Sequence, residues 1–180
     1  KIVVKELSFA GGGAGDPMPD LLATTRKTRN GFGVRDSFAY KPLSDPAVYA
    51  RTTTDVPHYP EMRFASTMQV VAAMSETNPV GGANTGTYFY QDAYYNVAGR
   101  GFEGFRTVTV HNQAQGTTTV TTYKQHFPYI GRVSQSRTSV TQGAAIATSA
   151  STWSSRPYGP SGARRYVVYA ASGTQTQDDP

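Results

Sequence analysis

Phe105-Arg106-Thr107-Val108-Thr109-Val110-His111, then Asn112-Gln113-Ala114-Gln115-Gly116, then Thr117-Thr118-Thr119-Val120-Thr121-Thr122-Tyr123-Lys124-Gln125, is the stretch that decides the fold class. Val108 and Val110 point to one side of an extended chain and Thr107 and Thr109 to the other, the two-residue period of a β-strand. A second β-branched run follows across a short polar linker that ends in glycine. The two runs therefore form a β-hairpin, and such strands are expected to bury one face.

The same reading extends outward in both directions. Upstream, residues 21–29 lead into Asn30-Gly31, a dipeptide suited to positive φ at both turn positions, and Val34, Phe38 and Tyr40 alternate beyond it. That is a second hairpin. Prolines in Lys41-Pro42-Leu43-Ser44-Asp45-Pro46 and in Val56-Pro57-His58-Tyr59-Pro60 cannot donate to a ladder, so the span between them is expected to be a long ordered connection. Residues 64–77 fit two periods. Phe64, Met68, Val71 and Met74 make a helical stripe, while Phe64, Met68, Val70, Ala72 and Met74 make one face of a strand. Pattern alone leaves both open. Tyr88, Tyr90, Tyr94 and Tyr95 form an aromatic-rich strand, and residues 132–140, 146–153 and 164–171 read as three more, separated by Gly, Pro and Ser. The expectation is about nine strands and at most one helix. The fold class is all-β, an antiparallel sheet of stacked hairpins.

Composition sets the remaining bounds. With 180 residues, 38% of them hydrophobic, and 20 Tyr and Phe rings (12 + 8), the chain is large enough for one domain with a core. No apolar run approaches the roughly 20 residues of a membrane span. Cysteine is absent, which excludes a disulfide scaffold, a thiolate metal site and a cysteine nucleophile. The net charge of +5 is scattered over Arg26, Lys27, Arg29, Arg35, Arg164 and Arg165 without a stripe, so it reads as solvated surface and not as a nucleic-acid site. The chain begins at Lys1 without a leader and ends in a polar tail with no obvious closing element, which reads as a piece of something longer.

Catalytic and cofactor patterns fail on context. Gly99-Arg100-Gly101-Phe102-Glu103-Gly104 satisfies the dinucleotide glycine spelling, but that fingerprint needs a helix N-terminus behind it, and Phe105 onward is a strand. Its glycines instead turn the chain while Phe102 and Phe105 anchor it. Gly11-Gly12-Gly13-Ala14-Gly15 has no Lys-Ser/Thr after it and reads as a flexible connection, and Asp16 and Asp20 lack calcium-loop spacing. His58, His111 and His126 are too dispersed for a zinc site. Ser161 sits near a nucleophile-elbow pattern spoiled by Pro160, and Glu6, Glu61, Glu76 and Glu103 are isolated from one another along the chain. No catalytic residue, cofactor or metal is assigned.

The run Tyr88-Phe89-Tyr90-Gln91-Asp92-Ala93-Tyr94-Tyr95-Asn96-Val97-Ala98-Gly99-Arg100-Gly101-Phe102-Glu103-Gly104-Phe105 resembles a signature of bacterial toxin proteins related to the tyrosine-aspartate (YD, or RHS) repeat superfamily. It is similar in particular to the B component of insecticidal toxin complexes and to the amino-terminal region of the Salmonella plasmid virulence protein. Asp20-Leu21-Leu22, Asn30-Gly31-Phe32-Gly33, Tyr40-Lys41-Pro42-Leu43-Ser44-Asp45-Pro46-Ala47-Val48-Tyr49 and Phe127-Pro128-Tyr129-Ile130-Gly131-Arg132 extend the likeness. The division that follows is 1–19 as a linker or strand from a preceding region, 20–132 as the toxin-complex-B-like segment and 133–180 as further β-rich shell.

The resemblance implies stacked hairpins wound into a hollow shell that encloses a toxic polypeptide, and it implies a strand over residues 64–77. Tandem YD repeats, the self-cleaving aspartate site and a transferase set are not seen, since Ser149-Ala150-Ser151-Thr152 has no Glu-x-Glu after it. The implied function is a non-enzymatic structural segment of a secreted bacterial toxin. Its partners would be other segments or subunits of the complex and the enclosed polypeptide. Tyr88, Tyr90, Tyr95, Phe102 and Phe105 would pack the core, with Gly99, Arg100, Gly101 and Gly104 at the turn. The competing readings are a carbohydrate- or protein-binding module using exposed Tyr with Arg100 or Arg106, and a hydrolase using Ser161.

Overall fold

The computed structural model describes residues 26–29, 35–53, 56–77, 81–140, 143–160 and 165–178. Among them lie eleven strands and no helix: β1 (Arg26–Arg29), β2 (Arg35–Pro42), β3 (Tyr49–Ala50), β4 (Glu61–Arg63), β5 (Gln69–Thr77), β6 (Ala83–Asn96), β7 (Gly101–Asn112), β8 (Thr117–Tyr123), β9 (Val133–Val140), β10 (Ala145–Tyr158) and β11 (Arg165–Gln177). All join one sheet, in the order β1-β2-β5-β6-β7-β8-β9-β10-β11. Every pairing along that path is antiparallel.

The β7–β8 hairpin runs from Asn112↔Thr117 to Thr107↔Thr122. Its turn closes through the Gln115 N–H on Asn112 Oδ1 at 3.1 Å and a left-handed Gly116 at φ 59°. The β1–β2 hairpin is present too, with Arg29 opposite Arg35, although Asn30-Gly31 and Val34 lie outside the described residues. Of residues 64–77 only Gln69–Thr77 is strand, paired to β2 along residues 69–76 and to β6 at residues 73–77, while the expected strand is absent over residues 64–68, which pass the core as irregular chain. The predicted strand over 164–171 is present as β11, which runs on to Gln177, paired to Ala147, and forms one edge of the sheet.

The proline-flanked span is not a plain connection. It carries β3, and β4 follows directly after Pro60; both lie along β6 beside β5. From its start onward, one edge of β6 meets β5 at residues 83–87, β3 at Tyr90 and Gln91, and β4 at residues 94–96. β3 is parallel to β6; the Tyr90 N–H donates to Val48 O at 2.8 Å and the Phe64 N–H to Ala93 O at 2.8 Å.

This fork holds the core. Leu43, Val48, Tyr49, Val70 and Ala93 are buried together, with Phe64, Met68, Ala72, Tyr90 and Phe105 packed against them. The other end of the sheet has no such layer. No described residue of β8, β9, β10 or β11 is buried. The expected one-sided burial of the hairpin strands is therefore corrected: Thr and Ser populate both faces, and neither face is apolar enough to collapse onto a second layer.

Candidate functional site

The aromatic strand and the glycine turn meet at the core end of β6 and β7, where two irregularities decide which side chains face which way. Asp92 has φ 51°, a left-handed conformation that Asp tolerates better than most residues. It lets Tyr90 and Ala93, three residues apart, join the same core. The second is a β-bulge: Tyr94 pairs Gly104 and Tyr95 pairs Phe102, leaving Glu103 as the extra residue. Gly104 at φ 89° carries that bulge, while Gly99 at 99° and Gly101 at 79° form the turn. Phe102 and Phe105 then touch at 5.5 Å between ring centroids.

The predicted aromatics separate into two groups. Phe105 packs against Tyr90 at 4.7 Å and Tyr49 at 6.4 Å, within the core. Burial, and secondarily Tyr88, push the Tyr90 phenol up to about 12, and its O–H donates to Val71 O at 3.0 Å. Tyr88 is half-buried against Met74 Sδ. Tyr95 and Phe102 are not core residues: they are 38% and 40% exposed and flank Phe64, at 6.1 and 4.8 Å. The side chain that does fill their strand's interior is Tyr94, fully buried. Arg100 lies over the Phe127 ring at 3.4 Å, and Phe127 meets Tyr166 edge-on, so the turn is tied to residues 124–132 and to β11.

A buried polar network runs beneath these rings. Asp92 Oδ1 accepts the Thr52 N–H at 2.8 Å, Oδ2 accepts the Thr52 hydroxyl at 2.6 Å, and Arg63 stands 3.6 Å from Oδ1. Arg63 also donates to Thr52 O at 2.7 Å. Gln125 Nε2 donates to Asp92 O at 2.6 Å and to Gly104 O at 3.0 Å, binding the two irregular positions together. Both Asp92 oxygens are thus held by the fold.

Glu103 differs. It is 2% exposed, its Oε1 accepts Asn96 Nδ2 at 3.1 Å, and its Oε2 has no partner. Burial raises its carboxyl above the ordinary range; Asn96 acts in the opposite direction, and nearby Glu61 adds to the rise. Glu61 in turn meets His126 Nδ1 at 2.7 Å. The acids that are isolated in sequence are therefore not isolated in space: Glu61 and Glu103 share one neighbourhood through the β4–β6–β7 pairings. Sequence reading missed this because the bulge, which turns Glu103 inward, has no period of its own.

Among the described residues no group of three His, Cys, Asp or Glu side chains could hold a metal ion. The glycine pattern at residues 99–104 leads into β7, so no helix N-terminus faces it. Ser161, Asp16, Asp20 and the glycine run at 11–15 lie outside the described residues. No helix of the described residues is long and apolar enough to cross a membrane.

Neither a curated protein nor a solved structure matches the chain. A family model does, over residues 19–131, and that span holds the whole fork of β3, β4 and β5 on β6, both irregular positions, the glycine turn and the β7–β8 hairpin. With well over half of its length inside that match, the chain belongs to the family described as the insecticide toxin TcdB middle/N-terminal region.

Proposed function

We propose that the chain is a non-enzymatic wall segment of a secreted bacterial toxin complex, related to the RHS/YD-type shells, whose sheet helps to enclose or present a toxic polypeptide. One observation carries the reading: four consecutive strands, β8 to β11, form a single layer in which no described residue is buried. An enzyme scaffold or a sandwich would cover one of those faces with a second layer. Here both faces remain uncovered, and Thr and Ser on them brace the layer by cross-strand hydroxyl contacts, Thr119 to Thr138 at 2.9 Å and Thr152 to Ser172 at 2.6 Å. A thin wall with two open faces suits a surface that borders enclosed polypeptide. The family match supports assembly with other toxin subunits.

The test places a photo-crosslinking amino acid at Thr121 or at the adjacent Val120, on opposite faces of β8, in the assembled parent complex. Crosslinks to the enclosed polypeptide from one position and not the other support the wall reading. Crosslinks from neither, in an assembly shown to contain that polypeptide, overturn it. The exposure of Tyr158 (50%) and Tyr169 (44%) favours a second reading, a carbohydrate- or protein-binding module. Glycan-array binding that Tyr169→Ala abolishes in a folded chain would put that reading first.

A further inference from the structure

We propose that residues 124–132 form a strap over the β7 bulge that stays closed while Glu103 is protonated and opens when Glu103 ionises. The strap joins β8 to β9, whose pairing ends at Tyr123 and Val133. Its backbone hydrogen bonds at Lys124, Tyr129, Gly131 and Arg132 all return within the segment. The ties to the rest of the sheet run through side chains: Gln125 on Asp92 O and Gly104 O, His126 on Glu61, Phe127 under Arg100 and against Tyr166, and Tyr129 on Ser155. Around Glu103, by contrast, β4, β6 and β7 are fixed by their ladders. When water must reach the carboxyl, the strap is the cover that gives way without breaking a strand pairing.

Ionisation supplies the force. Glu103 is 2% exposed, its Oε1 meets the Asn96 amide and its Oε2 meets no donor. A neutral carboxyl tolerates that setting far better than a carboxylate, whose charge is costly to hold away from water without donors on both oxygens. The charged and titratable groups that act on it are Glu61 of β4, His126 of the strap and Arg100 of the turn. Glu61 opposes ionisation. The two groups that favour it are engaged elsewhere, His126 with Glu61 at 2.7 Å and Arg100 over the Phe127 ring at 3.4 Å. A cavity of about 220 Å³, lined in part by Glu103 and Gly104 of the bulge and by Tyr123 and Gly131 beside the two ends of the strap, leaves strap and bulge without close packing there. The device lies at the core end of the sheet and does not rest on the wall reading.

Trp153, the one tryptophan of the chain, reports on the strap: its indole N–H donates to Val133 O at 2.7 Å, and Arg132 stands over its ring at 5.2 Å. The experiment follows Trp153 fluorescence of the full chain from about pH 4 to about pH 8, with far-UV circular dichroism recorded alongside to monitor the strands. The fluorescence should pass through a transition whose midpoint lies above the ordinary carboxylate value of 4.5, while the strand signal stays constant, and Glu103→Gln should remove that transition. No transition, a transition that persists in Glu103→Gln, or one that coincides with loss of the strand signal would each overturn the proposal, the second by assigning the change to a group other than Glu103. Should Glu103→Gln fail to fold, Glu61→Gln decides: removing the like charge should move the midpoint to lower pH, and an unchanged or higher midpoint overturns the proposal.

Discussion

Replacing Gly104 by alanine isolates the energetic cost of the bulge from every packing effect. Gly104 has φ 89°, and a Cβ added there meets nothing within 4 Å. The methyl group therefore costs only what an L-residue loses in a left-handed backbone, roughly 1–2 kcal/mol. Gly86 supplies the control. It lies in the middle of the sheet, paired to Met74 and Asn112, and its Cβ would meet His111 O at 3.8 Å and Val110 Cγ1 at 3.9 Å, which is ordinary contact. Without a left-handed backbone to resist it, alanine there should stabilise by about 0.4–1 kcal/mol, because it restricts the unfolded chain. The two variants carry the same chemical change and should move stability in opposite directions. With a urea m-value of about 2 kcal/mol/M, Gly104→Ala should lower the unfolding midpoint by roughly 0.5–1 M and Gly86→Ala should raise it by roughly 0.2–0.5 M. Shifts of the same sign, or a Gly104→Ala variant as stable as the parent, would refute the claim that the bulge depends on backbone conformation at this position.

Phe105→Ala removes a ring that touches Tyr49, Tyr90 and Phe102 and should cost about 3–5 kcal/mol, read as loss of the cooperative urea transition at low denaturant. Asp92→Ala strands the Thr52 N–H and removes the carboxylate beside Arg63, which keeps its bond to Thr52 O; the loss should fall at roughly 1–3 kcal/mol, and Asp92→Asn should lose less, since Asn also accepts the left-handed backbone. Glu103 has a raised carboxyl pKa in the fold, so its contribution is fully present below the unfolded value near 4.5 and is lost as pH rises from there through the folded value. Subtracting the pH–stability profile of Glu103→Gln from that of the parent should show a decline over that window and a plateau above it; a flat difference, or one that rises with pH, would contradict the burial of the carboxyl.

The hairpins were legible because each carries its own evidence. Val108 and Val110 against Thr107 and Thr109 give the period, Gly116 gives the turn, and the partner run lies next in sequence. What could not be read depends on distant pairing. β3 and β4 are two and three residues long, too short to show a period, and they exist because β6 offers an edge to them. The ambiguity over residues 64–77 has the same origin: helix and strand stripes fit equally until β2 and β6 are known to flank the segment. Tyr95 and Phe102 look like core residues by composition but remain 38% and 40% exposed, packed on Phe64 at the margin of the core. Asp92 and Glu103 were ordinary acids on paper. Their burial follows from Thr52, Arg63, Asn96 and Gln125 arriving from four separate parts of the chain.

Crowding three segments along one side of β6 also sets the order in which the chain assembles. Tyr49 and Glu61 precede their partners Tyr90 and Asn96 by 41 and 35 residues, and both partners sit on a strand that begins only at Ala83. During synthesis, a chain that has emerged as far as Thr77 has β2 and β5 to zip together, but β3 and β4 have no backbone to join. β3 and β4 must wait for β6, whereas β7 to β11 register hairpin by hairpin as they appear.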